Sequence, residues 1–344
     1  MKQINWGIIG LGNVAYKFAE AFKSINNARL IGISSRDKKK LLKFKDNFEV
    51  EEKYCFLEYE DLLKCEDIDI IYIALPNSLH YNWIIKCIEH RKNILVEKPA
   101  TINLSQITAI SDRIKGSSLL FAEGFMYQYY PQTKKIIDII KEGTIGEIQS
   151  MESYFGDDIL TKKNFFGFRK RKKIDKNNRK YNKKLGGGAI LDLGCYPSSF
   201  SVIIASLKEN INFNNIIFSD VKKEILNSGV DLDSYAEINF DNKFISKIGA
   251  SFTKNLGKYT KILGKEGEIL IEDTWHAESS LIKIINKNED KIILDCKNNI
   301  FSYEIEYLSK YISEGKKKPE YPVMSLKETI INTNILEKWI NHEK

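Results

Sequence analysis

Three short stretches of the chain hold side chains that could do chemistry. In Asn93-Ile-Leu-Val-Glu97-Lys98-Pro99-Ala100 a carboxylate and an ammonium follow an apolar run. Ile94, Leu95 and Val96 read as a buried parallel strand, which Pro99 cannot continue. Ligands of open α/β sheets bind outside the carboxyl ends of the strands, so Glu97 and Lys98 stand where a ligand would meet them. A strand that merely ends in a solvated charge pair would look the same in isolation. The second stretch is Leu185-Gly186-Gly187-Gly188-Ala189-Ile190-Leu191-Asp192-Leu193-Gly194-Cys195-Tyr196-Pro197. It reads as a helix starting near the glycines and running, bent at Pro197, toward Ala205. Asp192 and Tyr196 are four residues apart and share one face. By themselves they fit a buried helix whose polar groups satisfy each other. The three glycines suit something packed closely on the backbone.

The third stretch, Gly10-Leu11-Gly12-Asn13-Val14-Ala15, lies between the strand Ile4–Ile9 and an amphipathic helix running to about Ser24. Gly10 permits the tight turn, Gly12 lets the backbone approach a diphosphate, and Ala15 lets helix pack on strand. The amide groups opening the helix, at Asn13 and Val14, then point at the anion. The next strand, 29–33, ends in Ser34-Ser35-Arg36-Asp37. An NAD-selective site carries an acid here for the ribose 2′-hydroxyl, whereas Ser35 and Arg36 are donors suited to a 2′-phosphate. NADP is therefore favoured, and NAD stays open because Asp37 could turn inward. Leu75-Pro76-Asn77-Ser78-Leu79-His80 leaves the strand 68–74 and brings Pro76 and Asn77 over the cofactor. His80 either reaches the site or bonds local backbone.

These stretches need a scaffold. Strands near 4–9, 29–33, 54–56, 68–74, 93–97 and 118–122 alternate with helices, the pattern of a doubly wound parallel sheet complete by about residue 122. From 123 onward come a helix over Pro131–Lys141 and strand-like stretches at 147–154, 216–224, 234–240, 244–252, 260–263, 268–272, 281–285 and 291–294. Many alternate apolar and polar residues, as in an antiparallel sheet with one covered face. Helices near 303–314 and 325–341 close the chain. The expected fold is an α/β Rossmann domain, 1–122, followed by an α+β domain with a large mostly antiparallel sheet, 123–344. The helix 325–341 is a candidate to pack back on the first domain. An exposed half-apolar sheet face predicts a homo-oligomer, dimer or tetramer.

At 344 residues two domains are the expectation, and 43% hydrophobic with 29% charged residues is a globular composition. No uninterrupted apolar run nears the roughly 20 residues of a membrane helix, and the amino terminus enters a strand without a signal-peptide core. Five cysteines at scattered spacings point to a reducing cytoplasm, with neither a disulfide framework nor a metal motif. Residues 161–184 carry twelve Lys/Arg against the single acid Asp175, a local net of +11 within an overall +7, so the remainder stands at −4. That balance does not favour nucleic acid as a partner. The basic segment, with Phe165, Phe166, Phe168 and Tyr181, is either a solvated loop or a lid over an anionic substrate.

With Glu123-Gly124-Phe125-Met126-Tyr127…Pro131 added, these motifs together resemble the glucose–fructose oxidoreductase / inositol dehydrogenase (Gfo/Idh/MocA) family, in the family's order and over nearly the whole chain. The resemblance implies nicotinamide bound at the junction of the two domains, Lys98 as the catalytic-site lysine, Asn77 and Glu97 seating the nicotinamide end, and a cis Lys98-Pro99 bond. It implies an oxidoreductase acting on a sugar-type substrate, with a cofactor-binding sensor that lacks turnover as the alternative. Tyr196, where inositol-type members carry histidine, resembles the branch of D-xylose and dihydrodiol dehydrogenases and nucleotide-sugar ketoreductases. Gln128 and Tyr130 depart from the arginine and histidine often found there. Arg179 matches an arginine that reaches toward cofactor or substrate. A free phenol titrates near 10 and a neighbouring ammonium lowers it. On this reading Tyr196 moves the proton, Lys98 tunes it, and Asp192 positions the hydroxyl or relays the proton.

Overall fold

The computed structural model describes residues 3–163, 169–276, 281–287, 289–296, 299–316 and 319–342. The first half alternates β1 (Ile4–Ile9), α1 (Asn13–Ala21), β2 (Ala28–Ser34), α2 (Lys38–Phe48), β3 (Cys55–Phe56), α3 (Tyr59–Lys64), β4 (Ile70–Ile73), α4 (Asn77–Glu89), β5 (Asn93–Glu97), α5 (Leu104–Ile114) and β6 (Phe121–Gly124). The six strands form one parallel sheet in the order β3-β2-β1-β4-β5-β6. The chain reverses direction across the sheet between β1 and β4, the switch point at which such sheets bind ligands. The central strands are short and mostly apolar because both faces are covered: Ile8, Ile71, Ile94, Leu95 and Val96 are fully buried.

Strand β6 starts three residues later and ends two residues later than its sequence predicts. Its partner pairs are Ile94 with Phe121, Val96 with Glu123 and Glu97 with Gly124. The apolar pattern stops at Ala122, yet Glu123 continues the ladder as a buried carboxyl.

The second half holds α6 (Pro131–Lys141), β7 (Ile148–Gly156), β8 (Thr161–Lys163), β9 (Arg169–Arg171), α7 (Cys195–Ser206), β10 (Ile216–Ile225), β11 (Asp231–Phe240), β12 (Phe244–Ser251), β13 (Thr260–Gly264), β14 (Glu268–Ile271), β15 (Leu281–Ile285), β16 (Glu289–Ile293), α8 (Phe301–Ser313) and α9 (Leu326–Asn341). Eight strands pair in the order β10-β11-β12-β7-β13-β14-β15-β16, and β8 pairs with β9. All neighbours in the large sheet are antiparallel except β12 with β7. One face buries Met151, Phe155, Ile238, Ile248, Ile262 and Ile269. The other carries a row of neighbours, Ile217, Asn239, Ile245, Ser150 and Leu263, in which Ile217, Ile245 and Leu263 are exposed.

The chain does not divide at a single cut near 122. One compact unit comprises residues 1–101, 105–130 and 297–329, and the other 102–104, 131–296 and 330–344. Helix α8 belongs to the first unit, where Ser309 Oγ accepts the Trp6 indole N–H at 2.9 Å, which satisfies a buried donor. Most of α9, over the stretch foreseen on the first domain, lies in the second unit. There Ser198 Oγ donates to Asn332 Oδ1 at 2.6 Å, and Trp339 fills the space that a side chain on Gly194 would need. The stretch 183–206 has the length and composition of a membrane span, and its most apolar window is wholly buried. All five cysteines are free.

Candidate functional site

In the first unit the turn after β1 is built around space. Gly10 has φ +89°, and a Cβ there would lie 2.6 Å from the Ala74 carbonyl oxygen at the end of β4. Only glycine fits. At Gly12 a Cβ would meet nothing within 4 Å. Gly12 is also the residue before α1, with no side chain capping the helix and no acid in its first turn. The amides at Asn13 and Val14 thus open on free space with the positive end of the helix dipole, which fits a diphosphate.

Beside it, β2 ends at Ser34, whose hydroxyl donates to the Phe56 carbonyl. Ser35 is buried, and its Oγ accepts from the Asp37 amide at 3.2 Å. The Asp37 carboxylate caps α2, accepting from the Lys39 and Lys40 amides at 3.0 and 3.2 Å. It is thereby committed to the helix rather than turned toward a ribose. Arg36 is exposed, its guanidinium 5.0 Å above the Tyr59 ring. A fixed, solvent-facing arginine fits a 2′-phosphate.

At the carboxyl ends of β4 and β5, Leu75 and Pro76 lead into α4, and Asn77 is buried at its first position. His80 is fully buried, with Nδ1 2.9 Å from the Pro99 carbonyl oxygen and Nε2 2.8 Å from that of Leu75. Each ring nitrogen lies within hydrogen-bond distance of a loop carbonyl, so His80 bonds local backbone, one of the two roles open to it from the sequence. Glu97 accepts a short hydrogen bond from the Tyr72 hydroxyl, and the Tyr72 ring stacks 3.9 Å from Phe18. Glu304 of α8, fully buried, is pushed well above the usual carboxylate range by burial and then by the Glu97 charge. Lys98 is half-buried and the Lys98-Pro99 peptide is cis, as the resemblance implied. Gln128 and Tyr130 are buried in this unit, Gln128 donating to Met324 Sδ at 3.5 Å.

In the second unit the helical winding that carries Tyr196 changes type just before Pro197. Residues Ile190–Gly194 wind as a π-helix and pass directly into α7 at Cys195, so the wider winding lies in the turn that precedes Pro197, whose ring and missing N–H disfavour a regular α-helical turn there. The close-packing partner anticipated at the glycines is the protein itself. A Cβ on Gly187 would lie 2.5 Å from the Arg179 carbonyl oxygen, and one on Gly188, where φ is +125°, 2.3 Å from Asp231 Oδ1. Asp231 accepts from the Ile190 amide at 2.7 Å. Burial pushes its carboxyl up to about 6, against the pull of the Ile190 amide. Asp192 is buried and paired with two cations, Arg179 Nη1 at 3.2 Å and Lys180 Nζ at 3.1 Å. The sequence singled out Arg179 and not Lys180, since nothing distinguishes one cation among twelve.

Tyr196 is 5% exposed. Its ring meets Phe155 edge-on at 5.3 Å and Trp275 at 5.6 Å. Trp275 is pinned by its indole N–H donating to the Tyr154 carbonyl at 3.2 Å, and His276 also meets Phe155, at 5.7 Å. Sequence reasoning assigned no role to Phe155, Trp275 or His276. In the basic segment β8 and β9 form a hairpin, while Phe165, Phe166 and Phe168 lie outside the described residues.

Comparison with known proteins agrees with this geometry. Residues 4–125 match the family described as "Oxidoreductase family, NAD-binding Rossmann fold", and residues 133–270 match the "GFO/IDH/MocA C-terminal domain". The chain is 25% identical to trans-1,2-dihydrobenzene-1,2-diol dehydrogenase of Xenopus tropicalis over 97% of this chain and 96% of that one. It is 25% identical to dTDP-3,4-didehydro-2,6-dideoxy-alpha-D-glucose 3-reductase of Saccharopolyspora spinosa over 79% and 75% of the two chains. Among solved structures, KijD10, a 3-ketoreductase from Actinomadura kijaniata in complex with NADP and TDP-benzene, superposes with a TM-score of 0.81 at 20% identity, covering 98% of this chain and 97% of that one. An aldose-aldose oxidoreductase from Caulobacter crescentus gives a TM-score of 0.82 at 17% identity over 98% and 96%. At these identities the solved structures establish the fold.

Proposed function

Because the chain belongs to the Gfo/Idh/MocA family of oxidoreductases, we propose that it interconverts an alcohol and a carbonyl on a sugar or sugar-derived substrate, with NADP as its preferred nicotinamide cofactor. The observation that carries the reading is the occurrence in one chain of an open helix-start turn at Gly12 and Lys98 at the carboxyl end of β5 in the first unit, and of Tyr196 inside an aromatic wall in the second. The residues around Gly12, Ser35 and Arg36 would hold the diphosphate and the 2′-phosphate, and Asn77 and Glu97 the nicotinamide end. When bound, the cofactor supplies or accepts the hydride. Tyr196 gives the hydroxyl proton in reduction and takes it in oxidation. Lys98 favours the phenolate and polarises the substrate oxygen. Asp192, held by Arg179 and Lys180, aligns the substrate rather than carrying the proton, because two cations already claim its charge. Phe155 and Trp275 give the sugar an apolar wall.

The test is oxidation of NADPH against a panel of keto-sugars, free pentoses and nucleotide-linked sugars. At least one substrate should turn over, with NADPH preferred to NADH by about tenfold or more. Tyr196→Phe and Lys98→Met should each lower kcat by about 10²–10⁴ with the Kd for NADPH held within a fewfold. Full activity in Tyr196→Phe would remove the phenol from the mechanism. NADPH binding without turnover on any substrate would favour a sensor. The basic segment is a lid over an anionic substrate if KM for a phosphorylated or nucleotide-linked sugar rises with salt while that of a neutral sugar does not. The exposed row Ile217, Ile245 and Leu263 is the face we assign to a second copy of the chain, and light scattering on Ile245→Glu, expected to be monomeric, tests it.

A further inference from the structure

In the second unit two cations meet Asp192, and the segment that carries them is built onto the start of the helical winding. Asn178 Oδ1 accepts the Lys180 amide at 3.0 Å and opens a short turn, Arg179–Tyr181. The Gly188 amide donates to the Lys180 carbonyl at 3.0 Å. A Cβ on Gly187 would lie 2.5 Å from the Arg179 carbonyl oxygen and 2.7 Å from that of Lys180, so glycine is what lets this backbone come so near. The two side chains then converge on one acid. Arg179 Nη1 is 3.2 Å from Asp192 Oδ1, and Lys180 Nζ is 3.1 Å from Oδ2. Lys180 Nζ also stands 5.1 Å from the centre of the fully buried Phe252 ring. Among the described residues neither cation has a second acidic partner. One carboxylate against two cations leaves one positive charge over. The Asp192 side chain is 9% exposed, against 48% for Arg179 and 30% for Lys180, so the acid lies behind and the surplus charge faces outward. Arg179 alone would neutralise Asp192, and a half-exposed ion pair adds little to stability.

We propose that Lys180 is a specificity-determining residue, and that the positive charge left over beside Asp192 receives an anionic group of the substrate, a phosphoryl or a carboxylate. This names the substrate class for the oxidoreductase reading above and rests on that reading. An ammonium has three N–H donors, and Asp192 together with the Phe252 face leaves at least one for a ligand oxygen. Asp192 and the ring hold the ammonium in one place before any ligand arrives, which is what separates Lys180 from the exposed Lys183 and Lys184 of the same basic segment. The position also suits the chemistry, since Asp192 stands four residues before Tyr196. A charge fixed there discriminates between an acidic sugar derivative and its neutral parent, because the neutral one leaves the ammonium with water alone.

Two measurements test the assignment. The first is calorimetric titration of inorganic phosphate into the full chain saturated with NADP, which fills the cofactor's own phosphate sites. Lys180→Gln should raise the phosphate Kd about tenfold or more, and Lys180→Arg, which keeps the charge, should hold it within about threefold. Lys184→Gln removes the same charge from an exposed position nearby and should leave the Kd within about twofold. The second is turnover of D-glucose and D-xylose beside D-glucose 6-phosphate and D-xylose 5-phosphate. The phosphorylated members should have the higher kcat/KM. Lys180→Gln should cut that preference about ten- to hundredfold, chiefly through KM, with the Kd for NADPH within a fewfold. A merely structural role would lower both members of each pair by one factor and leave the preference standing. Equal weakening of phosphate in Lys184→Gln overturns the proposal, because the attraction then belongs to the whole basic segment. A raised NADPH Kd with unchanged phosphate binding in Lys180→Gln also overturns it, because the charge then serves the cofactor. Phosphate held through Lys180 in a protein that turns over no sugar upholds the anion site and removes only the oxidoreductase reading. Turnover with a preference that Lys180→Gln leaves intact upholds that reading and removes the proposal.

Discussion

Two glycine turns in this molecule look alike in sequence and differ in what their missing side chains make room for. At Gly10-Leu11-Gly12 the first glycine yields to the Ala74 carbonyl, and the second faces open space at the uncapped start of α1. At Gly186-Gly187-Gly188 the room is already taken. The Arg179 carbonyl and the Asp231 carboxylate occupy it, while the Gly187 and Gly188 amides donate to the Asn182 and Lys180 carbonyls, both at 3.0 Å. The first turn leaves space beyond its backbone, and the second is filled by the chain itself. A glycine cluster alone cannot separate the two cases, because what decides is the matter beyond the backbone.

The largest expected effect comes from filling the second turn. Gly188→Ala forces a Cβ into a backbone at φ +125° and against Asp231. It should cost about 2–4 kcal/mol, read as a lower thermal midpoint by calorimetry, whether or not cofactor is present. A stable Gly188→Ala with wild-type melting would break the comparison. Gly12→Ala should behave in the opposite way. Its φ of −90° suits alanine and nothing crowds the new methyl. Stability should stay within about 0.5 kcal/mol, while the Kd for NADPH by fluorescence titration rises about ten- to hundredfold.

The same contrast explains how far the sequence could be read. In the first unit each site residue follows its strand within a few positions, so apolar runs ending at Gly10, Leu75 and Glu97 locate the turn, the loop and the lysine. Reading failed there only where a residue broke its local pattern or acted at long range. Glu123 hid the end of β6 by being a buried acid, and α8 joined the sheet through a contact, Trp6 with Ser309, that spans 303 residues. In the second unit the surroundings of Tyr196 come from distant segments. Phe155 and Trp275 lie on different strands or turns with no shared spacing, and Asp231 stands 41 residues beyond the amide that it accepts. The β8–β9 hairpin had no alternation to betray it, since Lys162, Lys163, Arg169, Lys170 and Arg171 are all cations. The positions of Tyr196 and Asp192 were legible. Their partners were not.

The smallest effect tests whether the second turn is held by charge or by shape. Asp231 is buried against Gly188 and the Ile190 amide, and its folded carboxyl titrates at about 6, above the value near 3.9 expected of an unfolded chain. A group raised in this way favours folding most when protonated, so its contribution is fully present below about pH 4 and is lost as pH rises through 6. Asp231→Asn keeps an acceptor for the amide and cannot ionise. Between pH 4 and 6.5 the variant should lack a decline in stability of about 1–2 kcal/mol that the wild type shows, and at pH 7.5 it should be no less stable by more than about 1 kcal/mol, an allowance for the lost interaction of the carboxylate with the helix start. Parallel pH profiles for the two proteins would mean that the carboxylate is accommodated without cost, and that the glycines admit a charge at this helix start rather than simply a side chain of the right shape.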